Sequence, residues 1–262
     1  MTNHDTFYKA ARFYDIAFDF KDVPGECDFL LEILQKHSDR EAESFLECAA
    51  GPALHSLEFA KRGLHSIALD SSPAMVCYGK QRARAAGVDI DYVEADMSQF
   101  NLDRTVDLAA ILMDSTSYLL DNRAVLDHLA CMGRALRPGG LYILEMSHPR
   151  DVYNAGKSAQ TEWTAKREDT KVHIRWGRDE DFFDPCTGIT HCSVRLDYED
   201  GSEVGSILDK APQRSFTANE WLALVEASES FEILEIYGAM DSSIPFDNRR
   251  PAWRMVPILQ RV

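Results

Sequence analysis

The 262 residues carry 28 lysines and arginines against 43 aspartates and glutamates, a formal charge of −15. Such an acidic surface repels phosphate backbones and anionic lipid, which argues against nucleic acid and membrane partners and for a small-molecule or cationic one. The six cysteines are scattered without a CxxC pair, and the amino end has neither a signal-peptide core nor a spanning segment, so a reduced, cytoplasmic protein is expected.

Residues 1–22 spread Phe7, Tyr8, Phe13, Tyr14, Phe18 and Phe20 among polar residues. Phe7, Ala10, Ala11 and Tyr14 share one helical face, which predicts a helix laid over the domain. Residues 26–36 form a clearer amphipathic helix with Phe29, Leu30, Ile33 and Leu34 inward. The stretch that organises the chain is 44–63, SFLECAAGPALHSLEFAKRG, read with SIALD at 66–70. A short apolar run closes in small residues, and Leu54, Leu57, Glu58 and Lys61 then fall at helical spacing: strand, tight turn, helix. A second strand ends in Asp70, nineteen residues after Gly51. This is the layout of a nucleotide site at the first βα turn of a doubly wound sheet, where an acid one strand later accepts from ribose hydroxyls. The turn has Ala49, Ala50, Gly51, Pro52 and Ala53 where a dinucleotide fingerprint needs several glycines, and Pro52 removes an N–H that a phosphate would use. An adenosine-containing ligand without phosphates fits better.

Ser72 and Pro73 then open a helix that ends at Gly87. Residues 90–94 form a third strand ending in Asp96 and Met97, and residues 107–113 a fourth, buried on both faces, ending at Asp114 and Ser115. Residues 123–136 are helical, 137–140 (RPGG) turn, and 141–146 form a fifth strand ending at Ser147 and His148. Strand and helix alternate throughout, which predicts a parallel sheet with right-handed crossovers. Beyond Pro149 the pattern changes: 172–178, 189–198 and 203–208 read as antiparallel strands with turns at 185–188 and 200–201. Thr217 and Glu220 make a capping box for a helix running to about Ser228, and 231–237 and 254–262 return to strands.

The resulting expectation is an α/β fold, a Rossmann-like seven-stranded and mostly parallel sheet with helices on both faces and an inserted antiparallel β lid. Residues 1–150 and 216–262 would form the cofactor domain and 151–215 the lid and substrate region. An insertion leaving the fifth strand emerges over the carboxyl rim, where it can close the site or offer an edge strand to a second subunit, making the protein a monomer or homodimer.

Five motifs in this order and spacing, LECAAGPALHSLEFAKRG, SIALDSSPAMV, YVEADMSQF, VDLAAILMDSTSYL and ALRPGGLYILEMSHP, resemble those of the class I S-adenosylmethionine-dependent methyltransferases. The YDIAF near the amino end and the inserted strands are similar to a small-molecule subgroup that includes glycine and aminosugar N-methyltransferases. The resemblance implies that Glu47, Ala49, Ala50 and Gly51 line the methionine part of S-adenosyl-L-methionine, Asp70 takes the ribose hydroxyls, and Ser71 and Met75 border the adenine. It further implies that Asp96 and the Met97 N–H meet the adenine edge, that Met113 and Ser115 close the other side, and that Tyr14 approaches the cofactor. Ala49 and Ala53 stand at the motif's usual glycines, which alanine tolerates if φ stays negative. The asparagine-proline-proline-aromatic motif of methylases acting on planar amino groups is absent after the fourth strand.

Methyl transfer is an in-line displacement that needs a positioned nucleophile, excluded water and, for an amine, loss of a proton. His148 and Asp114 are the candidate bases, and Tyr14 and Tyr118 the positioning hydroxyls. Trp163, Trp176, Phe182 and Phe183 read either as a substrate pocket or as local core. Cys186, His191 and Cys192 lack a further ligand pair, so no metal is expected. The leading function is methylation of an N or O atom of a small molecule. The alternatives are a non-catalytic S-adenosylmethionine-binding sensor or scaffold and, disfavoured by the missing glycines, an NAD-binding reductase.

Overall fold

The computed structural model describes residues 10–153 and 160–262. Phe7 and Tyr8, part of the expected amino-terminal helix, lie outside the described residues. The first elements are α1 (Ala11–Ala17), α2 (Val23–His37), β1 (Ser44–Cys48), α3 (Leu54–Lys61), β2 (His65–Asp70) and α4 (Pro73–Ala86). They continue with β3 (Asp91–Glu94), β4 (Val106–Ile111), a 3-10 turn at Ser115–Tyr118, α5 (Asn122–Ala135), β5 (Leu136–Leu144), β6 (Met146–Ser147) and α6 (Pro149–Tyr153). The inserted strands are β7 (Thr161–Arg167), β8 (Thr170–Trp176), β9 (Phe183–Asp184), β10 (Ile189–Asp200) and β11 (Glu203–Arg214). The chain closes with α7 (Ala218–Ser228), β12 (Phe231–Tyr237) and β13 (Arg254–Arg261).

The main sheet runs β12-β13-β5-β4-β1-β2-β3, with β6 also pairing β13. The pairs β1-β2, β1-β4, β2-β3 and β4-β5 are parallel and β13 is antiparallel to both neighbours. Alternation along the buried strands sorts side chains between two layers. Phe45, Leu108, Ala110 and Ile143 pack with Phe29, Leu30, Ile33 and Leu34 of α2, whereas Leu46, Ala109, Ile111 and Tyr142 pack with α5 and α7. The order reverses at β1, whose neighbours are β2 and β4, and ligands of open α/β sheets bind outside the strand ends at such a switch.

The inserted strands form a separate antiparallel sheet, β11-β10-β8-β7, with β9 on β10. Its inner face, with Val172, Ile174, Val194 and Leu196, packs on Ile16, Ala17 and Phe18 of α1. Strand β7 went unread in the sequence because it is an edge strand whose side chains are exposed or half-buried, so no apolar alternation marks it. Strand β11 extends six residues past the expected end at Leu208, because its pairing with β10 continues without a break to Arg214.

Three local expectations change. The RPGG segment is an irregular start to β5: Gly139 takes φ +76° and the register against β4 shifts between Val106 and Leu108. The fifth strand also breaks at Glu145, whose carboxylate turns to accept from the Met113 N–H and from Arg254 Nε. At α7, Thr217 Oγ1 accepts from the Glu220 N–H as the capping box requires, but the Glu220 carboxylate binds Arg214 of β11.

Candidate functional site

A cavity of about 440 Å³ opens at the carboxyl ends of β1, β2 and β3. It brings together Tyr14, Ala49, Gly51, Asp70, Ser71, Asp96, Met97 and Ser115, all expected at the site. Tyr118, Leu119, Leu120, Asp121 and Ala124, from the turn after β4 and the start of α5, complete the wall, and of these only Tyr118 had been singled out.

The β1 turn contradicts one expectation. Ala49 and Ala53 take φ of +52° and +59°, the left-handed region, as does Gly51 at +52°. The backbone here needs the conformation that glycine supplies without cost, and alanine accepts it at ~1 to 2 kcal/mol. What holds the turn is a pair of bonds to Gly51. Its N–H donates to Asp70 Oδ2 at 2.7 Å, and its carbonyl accepts from the Tyr92 hydroxyl. Tyr92 reaches it because position 79 is glycine: a Cβ there would stand 2.3 Å from the Tyr92 ring. Ala49→Gly should therefore raise stability. Relief of ~1 to 2 kcal/mol of strain exceeds the ~0.4 to 1 kcal/mol of added unfolded-state entropy. Chemical denaturation checks this, and a loss of stability would show that the Ala49 methyl is needed for packing.

Asp70 Oδ1 accepts from the Ser72 N–H at 2.8 Å, so each carboxylate oxygen keeps a lone pair beyond its backbone bond. Burial raises the carboxyl's pKa, against the pull of the Ser72 and Gly51 N–H groups. Asp96 Oδ1 accepts from the Ser98 N–H and hydroxyl. The Met97 carbonyl accepts from His128 Nδ1 at 2.9 Å, while His128 Nε2 accepts from the Tyr142 hydroxyl at 2.7 Å. Burial lowers the His128 pKa to about 4, so the ring is neutral and this tautomer is fixed. His128 was invisible in the sequence because a lone histidine within a helix carries no spacing signal. Burial, with Tyr118 and Asp70 nearby, pushes the Tyr14 phenol far above its usual range, and it stays a hydrogen-bond donor.

Other expected residues stand away from the cavity. Ala50 and Met75 are packed in the core, and Met113 lies between the α2 layer and the inserted sheet. Glu47 is only 4% exposed, its carboxylate held by His55 Nδ1 at 2.9 Å and the Ser56 N–H at 2.8 Å. His55 also meets Glu26 at 2.7 Å, and Lys21 links Glu26 to Glu145, so a buried chain of charges underlies the strand ends. Burial works to lower the His55 pKa, but Glu47 and Glu26 outweigh it and raise the value to about 9.

Both candidate bases are committed elsewhere. His148 Nε2 donates to the Asp247 carbonyl at 3.0 Å, its Nδ1 accepts from the Arg150 N–H at 3.1 Å, and its ring lies against Phe246. With neither nitrogen free and 4% exposure, His148 anchors the 241–251 loop. Asp114 accepts from the Ser147 N–H and hydroxyl through its two oxygens, and burial raises its pKa. Of the inserted aromatics, Trp163 and Trp176 stand edge-on to Phe18, Trp163 Nε1 donates to the Ala17 carbonyl, Phe183 packs on Tyr153, and Phe182 is 69% exposed. Among the described residues no three His, Cys, Asp or Glu side chains gather as a metal site would.

The cavity wall thus presents Asp70, Asp96 and Asp121 and, among the described residues, no lysine, arginine or histidine. Residues 45–140 match the methyltransferase domain family. The match spans most of the segment whose motifs carried the resemblance to S-adenosylmethionine-dependent methyltransferases, and that expectation holds. A curated relative, the cypemycin N-terminal methyltransferase of a Streptomyces species, is 23% identical over 133 residues, 50% of this chain and 53% of that protein. The chain spans about half the length of the curated relatives it matches. Solved structures share the whole fold. An S-adenosylmethionine-dependent methyltransferase from Clostridium acetobutylicum superposes with a TM-score of 0.81 at 16% identity, covering 97% of this chain and 98% of the other. An amino pentose methyltransferase of calicheamicin biosynthesis from Micromonospora echinaspora, solved with S-adenosylmethionine bound, gives 0.71 at 20% identity, covering 95% and 96%. The expected Rossmann-like architecture with an added antiparallel sheet is the one found.

Proposed function

We propose that the protein is an S-adenosylmethionine-dependent methyltransferase acting on an N or O atom of a small molecule. The observation that carries this reading is the acidic cavity at the sheet's switch point. Three carboxylates and no cation suit a ligand bearing an adenosine and a positive charge, whereas the pyrophosphate of a dinucleotide would be repelled. Asp70 has the lone pairs to take two ribose hydroxyls, Asp96 and Met97 would meet the adenine, and Ala49, Gly51, Ser71, Ser115 and Tyr14 would complete the site. The cofactor, when bound, supplies a methyl group on a sulfonium. The chain's own work is to orient the acceptor and exclude water, and the Tyr14 and Tyr118 side chains on the cavity wall would help to position it.

Residues 151–215 would serve as the lid over a cofactor domain made of 1–150 and 216–262. Support comes from both tyrosines. Tyr14 sits on α1, under the inserted sheet, and the Tyr118 hydroxyl accepts from Gln213 Nε2 near the end of β11. Nitrogen is the favoured acceptor atom, since the named relatives act on a peptide amino terminus and an amino sugar. All six cysteines are free, in keeping with a cytoplasmic protein, and among the described residues no helix is long and apolar enough to cross a membrane.

Calorimetry should detect binding of S-adenosylmethionine and S-adenosylhomocysteine and none of NADH, and a panel of small amines and alcohols should yield methylated product. Failure to bind either sulfur compound would remove the proposal. Binding without turnover on any acceptor would leave a sensor or scaffold instead.

A further inference from the structure

The YDIAF segment of α1 holds, beside Tyr14, an aspartate to which the cavity gives no role. Asp15 is 1% exposed, and a carboxylate so deeply buried is very costly unless it is paired. Its Oδ1 accepts from Arg82 Nη1, and its Oδ2 accepts from the Tyr78 hydroxyl at 2.8 Å and from Arg167 Nη1 at 2.6 Å. Tyr78 and Arg82 stand one turn apart on α4, which lies against β2 and β3, whereas Arg167 closes β7 of the inserted sheet. One buried carboxylate thus joins α1 to elements 63 to 152 residues away on both sides of it.

The two sides of α1 are held differently. Its apolar residues Ile16, Ala17 and Phe18 pack on the inserted sheet. Polar bonds fix it there at both ends: Arg12 reaches Asp200 and Thr170, Arg167 reaches Asp15 and Asp19, and Trp163 Nε1 reaches the Ala17 carbonyl. The helix and the inserted sheet are therefore held as one unit. Toward α3 and α4 the packing is open, and a cavity of about 470 Å³ lies between Asp15, Phe18 and Asp19 on one side and Leu57, Arg82 and Ala85 on the other. Lys21, past the end of the helix, adds a tie through Glu26 and Glu145. Within the helix, the bonds from Tyr78 and Arg82 to Asp15 set its distance from α4.

Neighbouring residues of a helix point about 100° apart. With Asp15 turned to α4, Tyr14 falls on the wall of the other cavity, beside Asp70 and Tyr118. We propose that Asp15 is a positioning residue for methyl transfer: its bonds to Tyr78 and Arg82 hold α1, and with it the Tyr14 side chain, in place over the bound cofactor. The inference rests on the function proposed above and gives Asp15 no contact with cofactor or acceptor. Its physical content is a population: when the bonds to α4 are cut, α1 stands in the binding position for only part of the time, and the apparent dissociation constant rises by the inverse of that fraction.

Arg82→Met cuts one bond to α4 at a side chain 31% exposed and leaves Asp15 paired with Arg167 and Tyr78, so the variant should fold. By calorimetry it should bind S-adenosylhomocysteine roughly threefold or more weakly than the wild type, and Asp15→Asn should lose more. In a Tyr14→Ala background the Arg82→Met loss should shrink to less than about twofold, because the side chain it positions is gone. A purely structural contribution would give the same factor in both backgrounds. A readout without cofactor is amide exchange at Tyr14 and Phe18, whose N–H groups bond within α1: it should be faster in Arg82→Met, with α2 unchanged. Equal losses in both backgrounds, or unchanged exchange in α1 of a folded Arg82→Met protein, would overturn this inference and leave the proposed function standing. A wild type that binds neither S-adenosylmethionine nor S-adenosylhomocysteine would remove that function and this inference with it.

Discussion

Replacing Asp70 with alanine should weaken S-adenosylmethionine binding by roughly 2 to 4 kcal/mol, thirtyfold to several hundredfold, if its carboxylate takes the two ribose hydroxyls. The structure adds a stability cost. Asp70 also receives the Gly51 and Ser72 N–H groups, and their loss should lower unfolding free energy by ~1 to 3 kcal/mol. The two effects separate in Asp70→Asn, which keeps the shape and one carbonyl acceptor. This variant turns its NH2 toward one of the two N–H groups and should lose part of that stability, less than the alanine variant does, yet bind the cofactor at least tenfold more weakly, roughly the value of one charge-assisted bond. Calorimetry and chemical denaturation on the three proteins decide the matter. Full affinity in a folded Asp70→Asn protein would make Asp70 a brace for the β1 turn and nothing more.

Stability should peak near neutral pH and fall on both sides for two separate histidines. His128 has its pKa lowered by burial to about 4, below the unfolded value near 6.5, so its contribution is full above pH 6.5 and is lost as pH falls toward 4. His55 has its pKa raised to about 9 by Glu47 and Glu26, so its contribution is full below pH 6.5 and is lost as pH rises through 9. Each displacement from the unfolded value corresponds to a few kcal/mol. Unfolding free energies measured from pH 5 to 9 should show both slopes. His128→Asn should flatten the acid slope between pH 6.5 and 5, a range above ordinary carboxylate titration, and leave the alkaline slope intact. An unfolding free energy independent of pH, or an acid slope that survives in His128→Asn, would exclude this account.

The alternation of apolar runs and helical spacing was enough to place β1 through β4 within one or two residues, and with them the strand ends where Asp70, Asp96 and Ser115 converge. Those signals are local: a strand buried on both faces must be apolar throughout, and a rim residue follows directly from where the strand stops. What the tertiary structure alone decided was how side chains far apart in sequence are spent. His148 and Asp114 look like bases in the chain, yet the folded protein uses them on Asp247, Arg150 and Ser147. Glu47 sits in the right motif but is drawn under the cavity by a histidine eight residues on. Tyr92, Gly79 and His128, which hold the turn and Met97, act through contacts 31 to 41 residues away or through space left for a ring. The left-handed backbone at Ala49 and Ala53 had no local sign either, since alanine at these positions reads as ordinary turn or helix. Hydrogen-bond partners and backbone strain depend on close approach between separate elements, and that information exists only once the sheet has brought them together.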